Sequence, residues 1–314
     1  MQPPKPPSCL SAVKKSFVSV VLAALTLAAG CARGGGAETA SPPPPREIAI
    51  TIDDGPIVRP FTYPGLYERA LVVDSLTRAA RRFGAPLTLF VIGDQVGSPE
   101  QDSLLRRWTA AGAALANHTQ THRDLGTLSP EDGVREIEDG QRAVAPFARE
   151  RGQTLRYFRY PLLSEGTTDA QRAAYDGVLR RLGLRNAPVS ISNDDWSFDA
   201  RYADLEAKQD WAARYEVGQA YLQHLREAVA LWDRTGREIT GGRPVRHVML
   251  LHANRINRDH LGQILAMLRA DGFRFVSLDH ALADPVYSEP TTWRSANGVS
   301  RLEQIKQTRR MAGQ

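Results

Sequence analysis

Residues 50–56 read Ile50-Thr51-Ile52-Asp53-Asp54-Gly55-Pro56, and the rest of the chain is interpreted outward from them. An apolar, β-favouring run from Ile48 to Ile52 stops at two adjacent carboxylates, and a Gly-Pro breaker follows at once. The pattern predicts a buried strand that delivers both acids to its C-terminal edge. Neighbouring carboxylates repel each other and are costly to hold together unless a cation sits beside them. The stretch therefore asks for a metal ion.

Asn117-His118-Thr119-Gln120-Thr121-His122 offers partners, with its imidazoles four residues apart. Positions i and i+4 share a face of a helical turn, so the spacing predicts such a turn with both rings reaching one ion. Two His nitrogens and one carboxylate form a common catalytic zinc set that leaves a position open for water. The same mixed ligands leave cobalt, nickel or iron open. A helical H-E-x-x-H protease motif is excluded, because Thr119 stands where its glutamate belongs. Alone, the pair reads as two surface histidines; Asp53 and Asp54 change that reading.

Three further segments are individually weak. Tyr157-Phe158-Arg159-Tyr160-Pro161 is an aromatic strand end with one Arg, which by itself reads as a solvated loop residue. Asn193-Asp194-Asp195-Trp196 follows an alternating run and reads equally as a turn beside a core aromatic. Val248-Met249-Leu250-Leu251-His252 is a buried-strand run ending in a His, more often a core histidine than a catalyst.

In this order the segments resemble the polysaccharide deacetylase family (carbohydrate esterase family 4, the NodB homology domain). That family carries T-F-D-D-G-P, H-[ST]-x-x-[HS], R-x-P, D-x-x-D-W and L-x-H segments, matched here at residues 51–56, 118–122, 159–161, 192–196 and 250–252. The resemblance implies a metal held by Asp54, His118 and His122, with Asp53 as general base. It implies His252 as general acid, Asp195 as the group that orients it, and Arg159 as the partner of Asp53. A backbone N–H near Leu162 joins the metal in stabilising the oxyanion, and Trp196 is either a wall of the cleft or a core aromatic. The implied reaction is removal of acetyl groups from an N- or O-acetylated glycan: peptidoglycan, a chitin-like polymer or another envelope or plant polysaccharide. Four positions depart from the pattern: Ile52 for Phe, Ser192 for the first Asp of the fourth segment, Leu162 where many members have Tyr, and Ala253-Asn254 after His252. The last three surround the cleft and bear on the substrate more than on the chemistry.

Residues 1–30 read as a secretory signal, with Lys5, Lys14 and Lys15 ahead of an apolar stretch too short to span a membrane comfortably. Ala28-Ala29-Gly30-Cys31 resembles a lipobox, which implies lipidation at Cys31 and a membrane partner through that anchor. The other cysteine, Cys9, lies inside the signal, so no disulfide forms within the mature domain. Residues 31–46, rich in Gly and Pro, read as a tether. The expected address is periplasmic, on the outer membrane, with plain secretion as the alternative. The formal charge of +5 is spread over Arg-rich helical stretches, with no basic stripe interleaved with aromatics, so a nucleic-acid partner is not expected.

Residues 47–290 alternate strand-like and helical runs, which predicts an α/β fold with parallel strands and crossover helices. Strands are expected at 48–52, 87–92, 113–117, 157–160, 189–192, 248–251 and 273–278. Helices are expected at 67–83, 104–111, 130–151 and 169–182, with one long helical region at 202–235. Each candidate segment ends or follows a strand, where α/β barrels place their chemistry. The expected architecture is a distorted (β/α) barrel of seven or eight strands in a single catalytic domain, followed by a polar tail at 291–314. Tyr221 either packs on the barrel or, with Trp211 and Tyr215, forms a sugar-stacking wall. Two alternatives to the deacetylase stand: an inactive surface-tethered carbohydrate-binding relative, and a hydrolase of a small amide on the same fold.

Overall fold

The computed structural model describes residues 45–58, 65–294 and 298–313. The expected signal, the lipidation site Cys31 and nearly all of the tether lie outside the described residues.

Its centre is β1 (Arg46–Gly55), whose side chains from Glu47 to Asp53 are buried without alternation. Burial on both faces is the mark of a central strand in a parallel sheet. On one side β1 pairs with β6 (Arg246–His252). On the other it pairs first with β7 (Phe273–Phe275) and then with β2 (Leu87–Val91). The sheet continues from β2 through β3 (Ala114–Asn117) and β4 (Tyr157–Phe158) to β5 (Arg185–Asn186), seven strands in all, every pairing parallel. One segment closes the ring. Ala187 N donates to Phe158 O on the β4 side, and Ser190 N and Ile191 N both donate to Val248 O on the β6 side.

Helices cover the outside: α1 (Leu66–Phe83), α2 (Pro99–Ala110), α3 (Pro130–Arg149), α4 (Asp169–Leu182), α5 (Asp195–Ala207), α6 (Trp211–Ile239) and α7 (Arg255–Ala270). Their limits are chemical. Ser98 and Ser129 cap α2 and α3 ahead of a first-turn Pro, and Thr168 with Gln171 forms a capping box on α4. Gly84 and Gly183 end α1 and α4 in the left-handed conformation. After α7 come the short α8 (Leu278–Leu282) and α9 (Arg301–Met311).

Three expectations change. Residues 189–192 form no strand; a single bridge, Ile191 to Met249, stands where four residues were expected, and the strand lies earlier, at β5. The long helical region is two helices, broken by Gln209 at φ 58° and restarted by the Asp210 cap. Tyr221 is fully buried against Phe198, so it is not a sugar-stacking wall. The polar tail carries the helix α9, in keeping with a partly helical tail: its Leu302 and Ile305 are buried in the core, and Arg301 donates to the carbonyls of Val286 and Tyr287.

One contact fixes the helix layer against the site. A Cβ on Gly140 of α3 would lie 2.5 Å from the Thr119 carbonyl carbon, inside the loop that carries the histidines. Gly140→Ala therefore forces that loop to move and costs about 1–3 kcal/mol, as overpacking does. Thermal denaturation checks this, and an unchanged melting temperature refutes the contact.

Candidate active site and metal centre

β1 ends in a bulge. Ile52 pairs with Leu89 and Gly55 with Val91, so β1 carries one residue more than its partner between these points. Asp54 takes up the extra residue at φ 61°. Successive strand residues ordinarily point to opposite faces. Here Asp53 and Asp54 both line one cavity of about 510 Å³ at the C-terminal end of the barrel. The β1–β6 register sets Asp53 beside His252 on the adjacent strand.

The histidines reach this cavity from a loop, not from the helical turn that their spacing suggested. Thr119 (φ 66°) and His122 (φ 61°) are both left-handed, which a helix forbids. Side chains that the sequence reading overlooked hold the loop. Asn117 Oδ1 accepts from Thr119 N at 2.9 Å, while its Nδ2 donates to Ile137 O on α3. Glu136 accepts from Thr121 N at 2.8 Å and from Thr121 Oγ1 at 2.6 Å. Hydrophobic periodicity could not have revealed either residue, because each acts through polar contacts that only the folded loop brings together.

The ligand atoms of Asp54, His118 and His122 lie within 4.8 Å of one another. His118 Nδ1 lies 2.9 Å from the Arg159 carbonyl. A carbonyl only accepts, so Nδ1 carries a proton and Nε2 is the nitrogen turned toward the acids, free to serve as the ligand atom. That nitrogen is 3.5 Å from Asp54 Oδ1 and 3.8 Å from Asp53 Oδ2. His122 Nε2 is 3.1 Å from the same Asp54 oxygen, which is buried and has no partner in hydrogen-bond geometry. Converging ligand atoms around an unsatisfied buried oxygen fit a divalent cation. Burial opposes charge on Asp54, yet the imidazoles of His118, His122 and His252 hold its carboxyl well below the usual range. Burial likewise opposes charge on His122, and Asp54 outweighs it, raising the imidazole above its ordinary value.

Arg159 lies behind the cavity and is fully buried. Its Nη1 donates to Asp53 Oδ1 at 2.5 Å and to Thr51 Oγ1 at 2.8 Å, and Nε donates to Ala187 O at 3.0 Å. The guanidinium lies 3.9 Å above the Phe90 ring. Burial pulls its pKa below the ordinary arginine value, with the charge on Asp53 opposing. On the far side, His252 Nδ1 lies 2.6 Å from Asp195 Oδ1, and His252 N donates to Asp195 Oδ2 at 2.8 Å. Burial would lower the His252 pKa, but Asp195, with help from Asp54 and Asp53, raises it to about 10.

Leu162 and Trp196 stand at the mouth, 60% and 64% exposed, so Trp196 is not a core aromatic. Leu162 and Leu163 are both left-handed, and the turn there uses the N–H of Leu163 and Ser164 rather than that of Leu162. Gly298, from the expected tail, completes the wall. A Cβ there would meet Leu162 O at 1.7 Å, so only glycine allows this approach. A second cavity of about 640 Å³ shares Leu163, Ser192, Asp194 and Gly298 with the first and extends along α6.

Residues 40–185 match the family model "Polysaccharide deacetylase". Over that span, a little under half of the chain, the sequence is similar to the polysaccharide deacetylase family. Among curated proteins it is similar to the chitooligosaccharide deacetylase of Sinorhizobium fredii (34% identity, 48% of this chain, 60% of that protein). It is also similar to the corresponding protein of Bradyrhizobium sp. (38%, 32% and 39%) and to the chitin deacetylase of Colletotrichum lindemuthianum (30%, 48% and 54%). The chain thus spans 39–60% of the length of these relatives. Among solved structures it shares its fold with a CE4 family pseudoenzyme from Bacillus anthracis (TM-score 0.52, 14% identity, 76% of this chain, 66% of that one). The Xyl-CE4 domain of a multidomain xylanase from the hindgut metagenome of Trinervitermes trinervoides is also similar (TM-score 0.50, 19% identity, 82% and 100%). Both likenesses concern the fold alone.

The Arg159–Asp53 pair gives a stability test. Arg159→Leu strands a buried carboxylate and costs about 3–5 kcal/mol. Urea denaturation at neutral pH measures the loss, and a cost near zero would show that Asp53 does not depend on the pairing.

Proposed function

We propose that this protein is a metal-dependent deacetylase that removes acetyl groups from an N- or O-acetylated glycan. One observation carries the reading: Asp54, His118 and His122 converge while the adjoining Asp53 is held apart by Arg159. His118, His122 and Asp54 are the residues that would hold a divalent ion, zinc in our reading. When bound, the ion supplies polarisation of the acetyl carbonyl and a lowered pKa for water.

The remaining steps belong to the chain. Asp53, fixed by Arg159, which Thr51 in turn secures, takes the proton of the attacking water. In this reading the Leu162 N–H, which the local turn does not use among the described residues, meets the oxyanion; such a donor lowers the barrier by about 3 kcal/mol. His252 hands its Nε2 proton to the leaving amine or alcohol, while Asp195 keeps the ring oriented and charged. Trp196 offers a flat apolar face at the cleft mouth for a sugar ring. The export signal read from residues 1–30 directs the enzyme to a glycan outside the cytoplasm, and lipidation of Cys31 would tether it to the envelope. The second cavity, running on from the first, suits a polymer better than a small amide.

The deciding experiment loads the protein with zinc and measures acetate release from peptidoglycan, chitin oligomers and acetylated xylan. Asp53→Asn is expected to keep one metal per chain and lose nearly all turnover; loss of the ion instead would exchange the roles of the two aspartates. No acetate from any glycan, with metal bound, would leave the binding-module alternative standing.

The pH profile gives a second check. With the His252 pKa raised to about 10, the imidazolium persists well above neutral pH, and activity that needs it declines only beyond that point. Asp195→Asn removes the carboxylate that counters burial, so the alkaline limb of kcat/KM moves down toward the ordinary histidine range. An unmoved limb would dissociate that limb from His252.

A further inference from the structure

We infer that Asn257, held by Tyr221, is a positioning residue for the His252–Asp195 pair, and that α6 thereby reaches the proton-donating side of the site. The inference rests on the general-acid role proposed for His252. Asn257 is fully buried in the first turn of α7. Its Nδ2 donates both to Asp195 Oδ2 and, at 3.0 Å, to the carbonyl of His252 itself. Its Oδ1 accepts from the Tyr221 hydroxyl at 2.7 Å. The amide has no alternative orientation: a flip would set Oδ1 against a carboxylate and a carbonyl, both acceptors.

Asn254 belongs to the same assembly. Its Oδ1 caps the Asn257 N–H at 3.0 Å and its Nδ2 approaches Asp195 Oδ2 at 3.3 Å. Asp195 Oδ2 thus receives the His252 N–H and two amide groups, which leaves Oδ1 alone to hold His252 Nδ1. Asn257 is the member that grips both partners of the pair at once. Tyr221 is the member that comes from outside the barrel, on the long helix α6. Within the buried shell around Asp195, every polar atom of the Asn257 side chain is satisfied, so removing one contact leaves a neighbour unpaired.

The test separates positioning from structure by the leaving group. Protonation matters for departure of an amine and hardly at all for departure of 4-nitrophenolate. Zinc-loaded wild type, Asn257→Leu, Tyr221→Phe and His252→Ala are compared on an N-acetylated chitooligosaccharide and on 4-nitrophenyl acetate. For Asn257→Leu, the kcat for the amide is expected to fall at least about tenfold more than that for the ester, with KM within about threefold, as loss of general-acid alignment requires. Tyr221→Phe, which deletes one hydroxyl and folds even if the Leu variant does not, shows the same split at about threefold. Equal losses on both substrates, or none, overturn the inference. A split in His252→Ala without one in the other two variants overturns this inference alone; no split in His252→Ala overturns it together with the general-acid role.

Discussion

The site is organised around a like-charge conflict. A bulge at the end of β1 turns Asp53 and Asp54 into one cavity, where ordinary pleating would have separated them. Each carboxylate then needs its own remedy. Asp53 receives a buried guanidinium, itself secured by Thr51, Ala187 and the Phe90 ring. Asp54 receives two imidazoles, one of which is committed by its Nδ1 contact to turning Nε2 toward the acids. The two remedies make the two acids chemically different, although they are neighbours in the chain.

The barrel converts this local arrangement into a two-sided site. Because β1 and β6 run parallel and in register, Asp53 and His252 stand at adjacent strand ends. The distance between the proposed proton acceptor and the proposed proton donor is thus a property of the sheet, not of a loop. The loops add what the sheet cannot: left-handed residues at 119, 122, 162 and 163 that bring His118, His122, Leu162 and Leu163 to the cavity wall. Such conformations cost energy and persist where neighbours over-determine them. Asn117, Glu136 and Gly298 are those neighbours.

Much of this was legible in the sequence, for a physical reason. A buried parallel strand is a continuous apolar run, and a charged residue at its end stands out against it; β1, β2, β3 and β6 could be read that way, as could the order of the segments they carry. The loop bearing His118 and His122 was misread because four-residue spacing was taken for helical period, and nothing in the sequence announces αL residues at Thr119 and His122. The apolar stripe around Tyr221 gave its helix but not its burial partner, and the break at 208–210 carries no Gly or Pro to mark it. Asn257 and Glu136 look like ordinary surface residues of a helix until the fold shows what they face.

Fold likeness extends to a pseudoenzyme as well as to domains of the same class, so the barrel alone does not discriminate an active protein from an inert one. The discrimination lies in what the chain tolerates at the cavity. Adjacent carboxylates and a buried oxygen without a hydrogen-bond partner are each unfavourable in a site that only binds neutral sugar. A binding module would lose nothing by replacing Asp54 with asparagine and would gain stability from the relieved repulsion. The full set, with Arg159 buried against Asp53, Thr51, Ala187 and the Phe90 ring, fits the cation-centred hydrolytic site proposed above.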